Sequence, residues 1–329
     1  MILLESPGHD PYFNLALEQH IFDKMDRRNE YFMLWQNESS VIVGKNQNTY
    51  AEIDRAFIDA NSIPVVRRLS GGGAVYHDLG NVNYTFVSDC AGDSAFDFSR
   101  FYSPVLKTLE KLGVRASKRG RNDIVIGGEK FSGNAQYSKQ GRVLHHGTLL
   151  FDTDLEKMRR SLMPPEGVLS SKAIASVRSG VTNIKPHLAK RLDVAGFIGL
   201  LREAVSEEFS LETRPLAASD IRSVEALRDG TYSKWEWNYG SSPQSDTMKQ
   251  RRIEGCGTVQ VHYTAKNGRI SSVAFYGDYF GNGDATVPAG LLIGRKLEEQ
   301  DLLDALAGID VGEYFHNLDA KTLVDIVLR

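Results

Sequence analysis

Arg67-Arg68-Leu69-Ser70-Gly71-Gly72-Gly73-Ala74-Val75-Tyr76-His77-Asp78 is the stretch on which the reading of the chain turns. Residues 64–68 read as a strand running into the glycines. Three successive glycines let the backbone approach a ligand closely and turn its N–H groups inward as an anion nest. Two arginines just upstream supply charge-assisted bonds to phosphate or carboxylate oxygens. The same glycines also suit a sharp turn with no ligand. The stretch is neither a Walker A loop nor a dinucleotide fingerprint, so the common nucleotide motifs do not apply. His77-Asp78 fits an oriented general base, half of a metal site, or a histidine hydrogen-bonded beside a turn.

Upstream, Asp10-Pro11 is a helix start, and Phe13, Leu17, Ile21 and Met25 recur every four residues, which predicts an amphipathic helix. Residues 32–35 and 41–43 read as strands and 51–61 as a helix. Downstream, 82–87 is a strand, 96–112 a helix, and 122–137 with 142–151 a run of antiparallel strands turning at 138–141. This order predicts an α+β fold, mixed and antiparallel sheets with helices packed on one face. Residues 193–209 keep a helical period through Val194, Phe197, Leu201 and Val205, and 219–228 form a shorter helix. The polar stretch 238–252 is the linker candidate, dividing the chain into 1–248 and 249–329. Beyond it, Val259, Val261 and Tyr263 alternate up to Asn267-Gly268, a hairpin signal, and 297–306 and 320–327 read as helices of a small α+β domain.

A chain of 329 residues has room for about two domains. Its net charge of −3 provides no chain-wide basic field, which excludes bulk nucleic-acid binding. Cys90 and Cys256 form no cluster with each other or with histidine, so a disulfide framework and a structural zinc are both disfavoured and a reducing cytoplasm is expected. No export signal is read, and apolar runs such as 194–201 are too short to span a bilayer. No large apolar stripe is left over, which favours a monomer.

Further chemistry gathers at Asn122-Asp123-Ile124 and at Gly127-Gly128-Glu129-Lys130-Phe131-Ser132-Gly133-Asn134-Ala135. A lysine between glycine-rich turns directs a full positive charge into a site, and Asp123 is a candidate magnesium ligand beside nucleotide phosphates. His145 and His146 are neighbours on a strand, so they point to opposite faces and at most one joins a shared site. Cys90 has no neighbouring base, and Cys256 lies between two glycines of the C-terminal part, so neither reads as a nucleophile.

Taken in order, RRLSGGGAVYHDLGNVNYTF at 67–86, RNDI at 121–124, GEKFSGNAQ at 128–136, HHGTLLFDTDL at 145–155 and SVRSGVTN at 176–183 resemble lipoate-protein ligase A. GTVQVHY, GDYFG and the last helices resemble the accessory domain of its long form, within the biotin/lipoate protein ligase superfamily. The resemblance implies a two-step reaction. Lipoate and magnesium-ATP form lipoyl-adenylate and pyrophosphate, and the mixed anhydride then acylates a lysine of a lipoyl domain. Implied acceptors are acyltransferase subunits of 2-oxo acid dehydrogenases and the glycine cleavage H protein. Lys130 matches the active-site lysine. Arg68 and the backbone of Gly73, Ala74, Val75 and Tyr76, with Asn122 and Asp123, match the ATP site. Ser70, Gly71, Gly72, His77, Asn81, Ala135, His146 and Thr148 match the lipoate and lipoyl-adenylate pocket. An apolar tunnel is expected for the acyl chain, and 164–175 for part of a lid. The rivals are an ATP-independent octanoyl or lipoyl transferase, which needs a cysteine in the pocket, a biotin ligase, and a non-catalytic lipoate-binding protein.

Overall fold

Asp10 stops the chain from fraying ahead of its first helix: its carboxylate accepts the Tyr12 N–H at 2.9 Å, and Pro11 sets the first turn. The computed structural model describes residues 1–49, 52–89, 99–120, 122–162, 180–240, 247–266 and 268–328. The elements begin β1 (Ile2–Leu4), α1 (Pro11–Lys24), β2 (Tyr31–Trp35), β3 (Ser40–Val43), α2 (Arg55–Ala60), β4 (Val65–Arg67), β5 (Val75–His77) and β6 (Asn81–Asp89). There follow α3 (Ser99–Lys111), β7 (Ala116–Arg119), β8 (Asp123–Ile126), β9 (Glu129–Lys139), β10 (Arg142–Leu150), α4 (Leu155–Ser161), α5 (Val194–Phe209), β11 (Glu212–Thr213), α6 (Ala218–Leu227) and α7 (Trp235–Asn238). The rest is β12 (Thr247–Ile253), β13 (Gly257–Lys266), β14 (Arg269–Gly277), α8 (Thr286–Leu292), α9 (Glu299–Leu306), α10 (Val311–Tyr314) and α11 (Ala320–Leu328).

An eight-stranded mixed sheet in the order β11-β1-β2-β6-β10-β9-β8-β7 carries the larger part. Strand β1 pairs in parallel on both sides, and the other pairs are antiparallel. One face packs against α3 and α5, where Phe101, Val105, Phe197 and Leu201 meet Phe32, Tyr84, Phe86 and Leu149. The other face takes α1, through Phe13, Leu17 and Ile21, and a second sheet of order β4-β3-β5, whose Ile42 and Val66 join the same core. Both faces are therefore covered, where the sequence suggested helices on one. The reason is visible in β2 and β6, which are buried almost without interruption and so need apolar partners on either side.

Strand pairing fixes which side chains can share a site. Trp35 pairs with Asn83, Met33 with Thr85, Thr85 with His146, Asn83 with Thr148, and His146 with Ala135. With a period of two, these residues lie on the α1 face, while Tyr84, Phe86 and His145 lie on the α3 face.

Several expectations shift. The helix expected at 51–61 begins only at Arg55, because the Asp54 carboxylate accepts the Phe57 N–H and caps it there. The antiparallel run expected over 122–151 forms with its turn between Lys139 and Arg142, and an additional hairpin turn divides 122–137, with Gly127 and Gly128 both at positive φ. Strands β5 and β7 and helix α4 carried no clear period. The polar segment taken as linker is strand from Thr247 onward, pairing Met248 with His262 and Arg251 with Val259. It is an edge strand, which tolerates alternating polar residues because one side faces water. The hairpin after β13 turns through Gly268 at φ 72°; Asn267 lies outside the described residues. Around β12-β13-β14 a separate core forms from Val259, Val261, Phe275, Leu302, Phe315 and Leu323. This C-terminal part abuts the second sheet: the Gly277 N–H donates to the Asn46 carbonyl at 2.6 Å. No helix among the described residues is long and apolar enough to cross a membrane.

Gly147 in β10 shows how tightly the α3 face is filled, since a Cβ there would sit 2.5 Å from Tyr84 Cζ, with the Asn134 amide oxygen also in contact. Gly147→Ala is expected to lower stability by about 2 kcal/mol, several degrees in a thermal melt. An unchanged midpoint would refute this packing.

Candidate active site

The glycine loop has to cross the end of β3, because β4 and β5, which it joins, flank that strand. At the crossing Gly44 lies under the Gly72 carbonyl with no room for a Cβ, and Gly72 itself takes φ 91°. The two arginines part company here. Arg67 turns away from the cavity and donates to the carbonyls of Gly44 (2.9 Å), Lys45 (3.1 Å) and Gln47 (2.8 Å), to Thr49 Oγ1 (2.7 Å) and, through Nε, to the Trp237 carbonyl. Arg68 faces the cavity wall. Its Nη2 donates to the Gly71 and Gly73 carbonyls at 2.6 and 2.9 Å, its Nη1 to the Ile42 carbonyl at 3.1 Å, and its Nε to Ser70 Oγ at 3.0 Å. Burial pushes each guanidinium down to about 10, still protonated at neutral pH. The pair therefore stiffens the loop first, and the idea that both clasp a ligand anion does not hold for Arg67.

A cavity lies between this loop and the α1 face of the large sheet. Its wall includes Arg68, Gly72, Gly73, Ala74, Val75, Tyr76, His77, Asn122, Asp123, Lys130, Ala135, His146 and Thr148, which four separate sequence stretches contribute. Three expected residues stand one layer back. Ser70 is buried behind His146, bonding its Nε2 at 2.6 Å; the Gly71 backbone lies against the Tyr279 carbonyl; and Asn81 donates to Asn83 Oδ1 at 2.9 Å. Asn83, not singled out from the sequence, takes the wall position that the strand period assigns it. The apolar wall was also not picked out: Leu15 from α1, Trp35 from β2, Ile42 from β3, and Leu150, Met158 and Leu162 around α4. Trp35, Asn83, Thr148 and Gly133 run across four neighbouring strands toward Lys130. Three inter-strand steps make this row about 14 Å long, enough for an extended medium-chain acid.

Lys130 is held from several directions. Its N–H donates to the Gly180 carbonyl and its carbonyl accepts from the Thr182 N–H, both at 3.0 Å, while β8 pairs it with Val125. The ammonium lies 2.8 Å from Asp123 Oδ1, and Gly133 leaves room for it: a Cβ there would be 3.0 Å from Nζ. Asp123 also faces Arg119 Nη2 at 3.7 Å. Asn122 donates from Nδ2 to the Asn134 carbonyl, which ties the β8 entry to β9. Among the described residues no group of three or more His, Cys, Asp or Glu could hold a metal ion.

The two histidines of β10 divide as the strand period requires. His145 stacks on Phe101 at 4.6 Å inside the core, and His146 reaches the cavity, its Nδ1 bonded to Glu18 at 3.0 Å. His77 Nδ1 accepts from Asn37 Nδ2 at 3.1 Å. Its Nε2 therefore carries the proton and is buried without a partner, a neutral donor on the cavity wall. Cys256 is buried in the C-terminal core. Cys90, Arg121, the lid expected at 164–175 and the first part of the 176–183 motif lie outside the described residues.

Burial pushes His77 down to about 3 and His145 well below the usual histidine value. The folded rings thus stay neutral where unfolded ones, near 6.5, take up protons. Stability is full above that value and falls as pH drops, by about 2 kcal/mol for His77 between pH 6.5 and 5 and in the same direction for His145. Denaturant titrations at pH 7 and 5, with imidazole resonances followed by NMR, check this. A titration midpoint of either ring between 5 and 8 would contradict the buried neutral assignment.

Residues 10–206 match the model of the lipoyl protein ligase A/B catalytic domain, and 242–327 match that of the bacterial lipoate protein ligase C-terminus. The chain is 37% identical over 322 residues to lipoate-protein ligase LplJ of Bacillus subtilis (strain 168), covering 97% of each chain. Its fold superposes on LipL1 of P. falciparum, solved with lipoate, with a TM-score of 0.79 over 100% of this chain and 98% of that one, at 21% identity. The bi-partite lipoate protein ligase of Thermoplasma acidophilum, solved in a study of that ligase and its E2 lipoyl domain, gives a TM-score of 0.65 at 27% identity. That match covers 75% of this chain and 98% of the other. A lipoate-protein ligase A bound with ATP gives 0.62 at 27% identity, over 73% of this chain and 98% of its own. The two family models follow one another along the chain, and the full-length relative matches across both: the chain belongs to the lipoate-protein ligase family.

Proposed function

We propose that this protein joins lipoate to a lysine of lipoyl-domain acceptors by way of lipoyl-adenylate, consuming ATP. The observation that carries the reading is Lys130, a cation fixed through its main chain on one wall of a cavity whose opposite wall is the Arg68-braced glycine loop. A lipoate carboxylate oxygen attacks the α-phosphorus of ATP, a new P–O bond forms, and the bond to pyrophosphate breaks. The acceptor amine then attacks the acyl carbon, the amide forms, and AMP leaves. No protein nucleophile is required. Both steps gather negative charge on oxygens near one point, which a pre-oriented ammonium stabilises without reorganising.

On this reading ATP is held by Arg68, by the backbone of Gly73, Ala74, Val75 and Tyr76, and by Asn122, Asp123 and Lys130. Lipoate and its adenylate lie along the row from Trp35 to Lys130, against Gly72, His77, Ala135, His146 and Thr148, with Ser70, Gly71 and Asn81 supporting that wall from behind. Magnesium enters with ATP, and among the described residues lining the cavity Asp123 is the one carboxylate in place to meet it, sharing itself with Lys130. The acceptors are lipoyl domains of 2-oxo acid dehydrogenase acyltransferase subunits or the glycine cleavage H protein. The protein acts as a cytoplasmic monomer, with 1–248 the catalytic unit and 249–329 the accessory one.

Lipoate-dependent exchange of labelled pyrophosphate into ATP, without acceptor, tests the first half-reaction. Lys130→Ala is expected to slow it at least about a hundredfold, the cost of losing a charge-stabilising donor. Exchange that persists at the wild-type rate would remove Lys130 from the chemistry. In the same assay Asp123→Asn should raise the magnesium concentration needed for half-maximal rate; an unchanged requirement would show that Asp123 is no ligand.

A further inference from the structure

Glu18 is a buried carboxylate on α1 that does not reach the cavity, and two hydrogen-bonded chains start from it. In the first, Thr85 Oγ1 donates to Glu18 at 2.5 Å and accepts the indole N–H of Trp35 at 2.9 Å, so the carboxylate fixes an apolar wall residue. In the second, Glu18 lies 3.0 and 3.1 Å from His146 Nδ1, and His146 Nε2 lies 2.6 Å from Ser70 Oγ. Ser70 Oγ accepts from Arg68 Nε at 3.0 Å, and Arg68 donates onward to the Gly71 and Gly73 carbonyls. The Glu18 charge also favours the protonated form of the buried Arg68.

Serine, histidine and carboxylate in this sequence have the connectivity of a hydrolase triad. The serine is wrongly placed for that chemistry. Ser70 is 1% exposed and lies off the cavity wall, and its hydroxyl already accepts the Arg68 N–H. With the carboxylate taking the Nδ1 proton, Nε2 is left to accept the serine O–H, and the serine oxygen to accept from Arg68. Every donor then has an acceptor, and the chain holds a shape without moving a proton.

We infer that Glu18 is a positioning residue serving both substrates of the proposed ligase, setting the Trp35 wall through Thr85 and the glycine loop through His146, Ser70 and Arg68. The inference rests on the assignment of the loop to ATP and of the Trp35 row to the acyl chain. It reaches further, because it gives one charged side chain outside the cavity command of both substrate sites.

Steady-state pyrophosphate exchange by the full chain tests it with Glu18→Gln, Ser70→Ala, Thr85→Val and the doubles that combine Glu18→Gln with each of the others. Glu18→Gln should raise the KM for ATP and the KM for lipoate about tenfold each, the effect of weakening a charge-assisted bond, with kcat within about twofold. Ser70→Ala should raise the ATP value several times more than the lipoate value, because Ser70 holds Arg68 as well as backing His146, and Thr85→Val should raise only the lipoate value. In the Ser70→Ala background, Glu18→Gln should add nothing further to the ATP KM, and in the Thr85→Val background nothing further to the lipoate KM. Additive effects in either cycle, or a fall in kcat alone, overturn the inference. Should Glu18→Gln not fold, the opposite selectivities of Ser70→Ala and Thr85→Val decide the matter, and equal effects of both on both substrates overturn it. The second chain is also read without substrate. The His146 Nδ1 proton should give a downfield NMR signal that Glu18→Gln abolishes, and its persistence in the variant would break the relay. A wild type with no lipoate-dependent exchange refutes the ligase reading, while this signal still judges the relay.

Discussion

The Arg68 guanidinium is the interaction on which the site depends. A cation so deeply buried is costly unless its N–H groups find oxygens, and Arg68 finds them on the loop that the chain must fold over it, at Gly71, Gly73 and Ser70, and on β3 at Ile42. Desolvation and loop geometry thus constrain each other. The loop carbonyls turn toward Arg68, and glycines are needed where the crossing brings the backbone against Gly44 and against Tyr279 of the C-terminal part. Arg67 does the same work on the next layer, tying 44–49 to Trp237.

The second constraint is the alternation of the large sheet. Between β2 and β10 one face packs wholly into the α3 core, while the other carries the cavity wall beside the α1 core, so neighbouring residues belong to different tasks. His145 is stacked in the core and His146 faces the site. Tyr84 sits beneath Gly147 on the core face, while Asn83 and Thr148 stand on the wall. Packing on the α3 side consequently sets the position of wall residues on the other, because a shift of register by one would exchange the two sets.

What the sequence made legible follows from where the signal is local. The Asp10 cap and four-residue period of α1, the alternation of β13, and the opposed histidines of β10 each need only a few residues to express themselves. The glycine loop and Lys130 are also local signals, and the cavity brings them together. What could not be read depends on distant partners. Arg67 and Arg68 are adjacent and chemically equal, and only the β4-β3-β5 crossing decides which one faces the cavity. The polar Thr247–Ile253 reads as linker because an edge strand needs little apolar character of its own. Glu18 follows Leu17 on the buried side of α1, but its meaning came from Thr85 and His146, far along the chain.

Lys130 shows why such an arrangement suits a reaction with no protein nucleophile. A lysine on a flexible loop would lose side-chain entropy and reorganise as charge develops on the reacting oxygens. Here the main chain is bonded to β8 on one side and to Gly180 and Thr182 on the other, and Asp123 holds the ammonium at 2.8 Å. Asp123 keeps the charge oriented while substrate is absent. On the proposed reading, phosphate or carboxylate oxygens entering the cavity would compete with Asp123 for a cation already in position, with little movement of its backbone. Charge on this wall is exchanged between partners, and little of it has to be built anew.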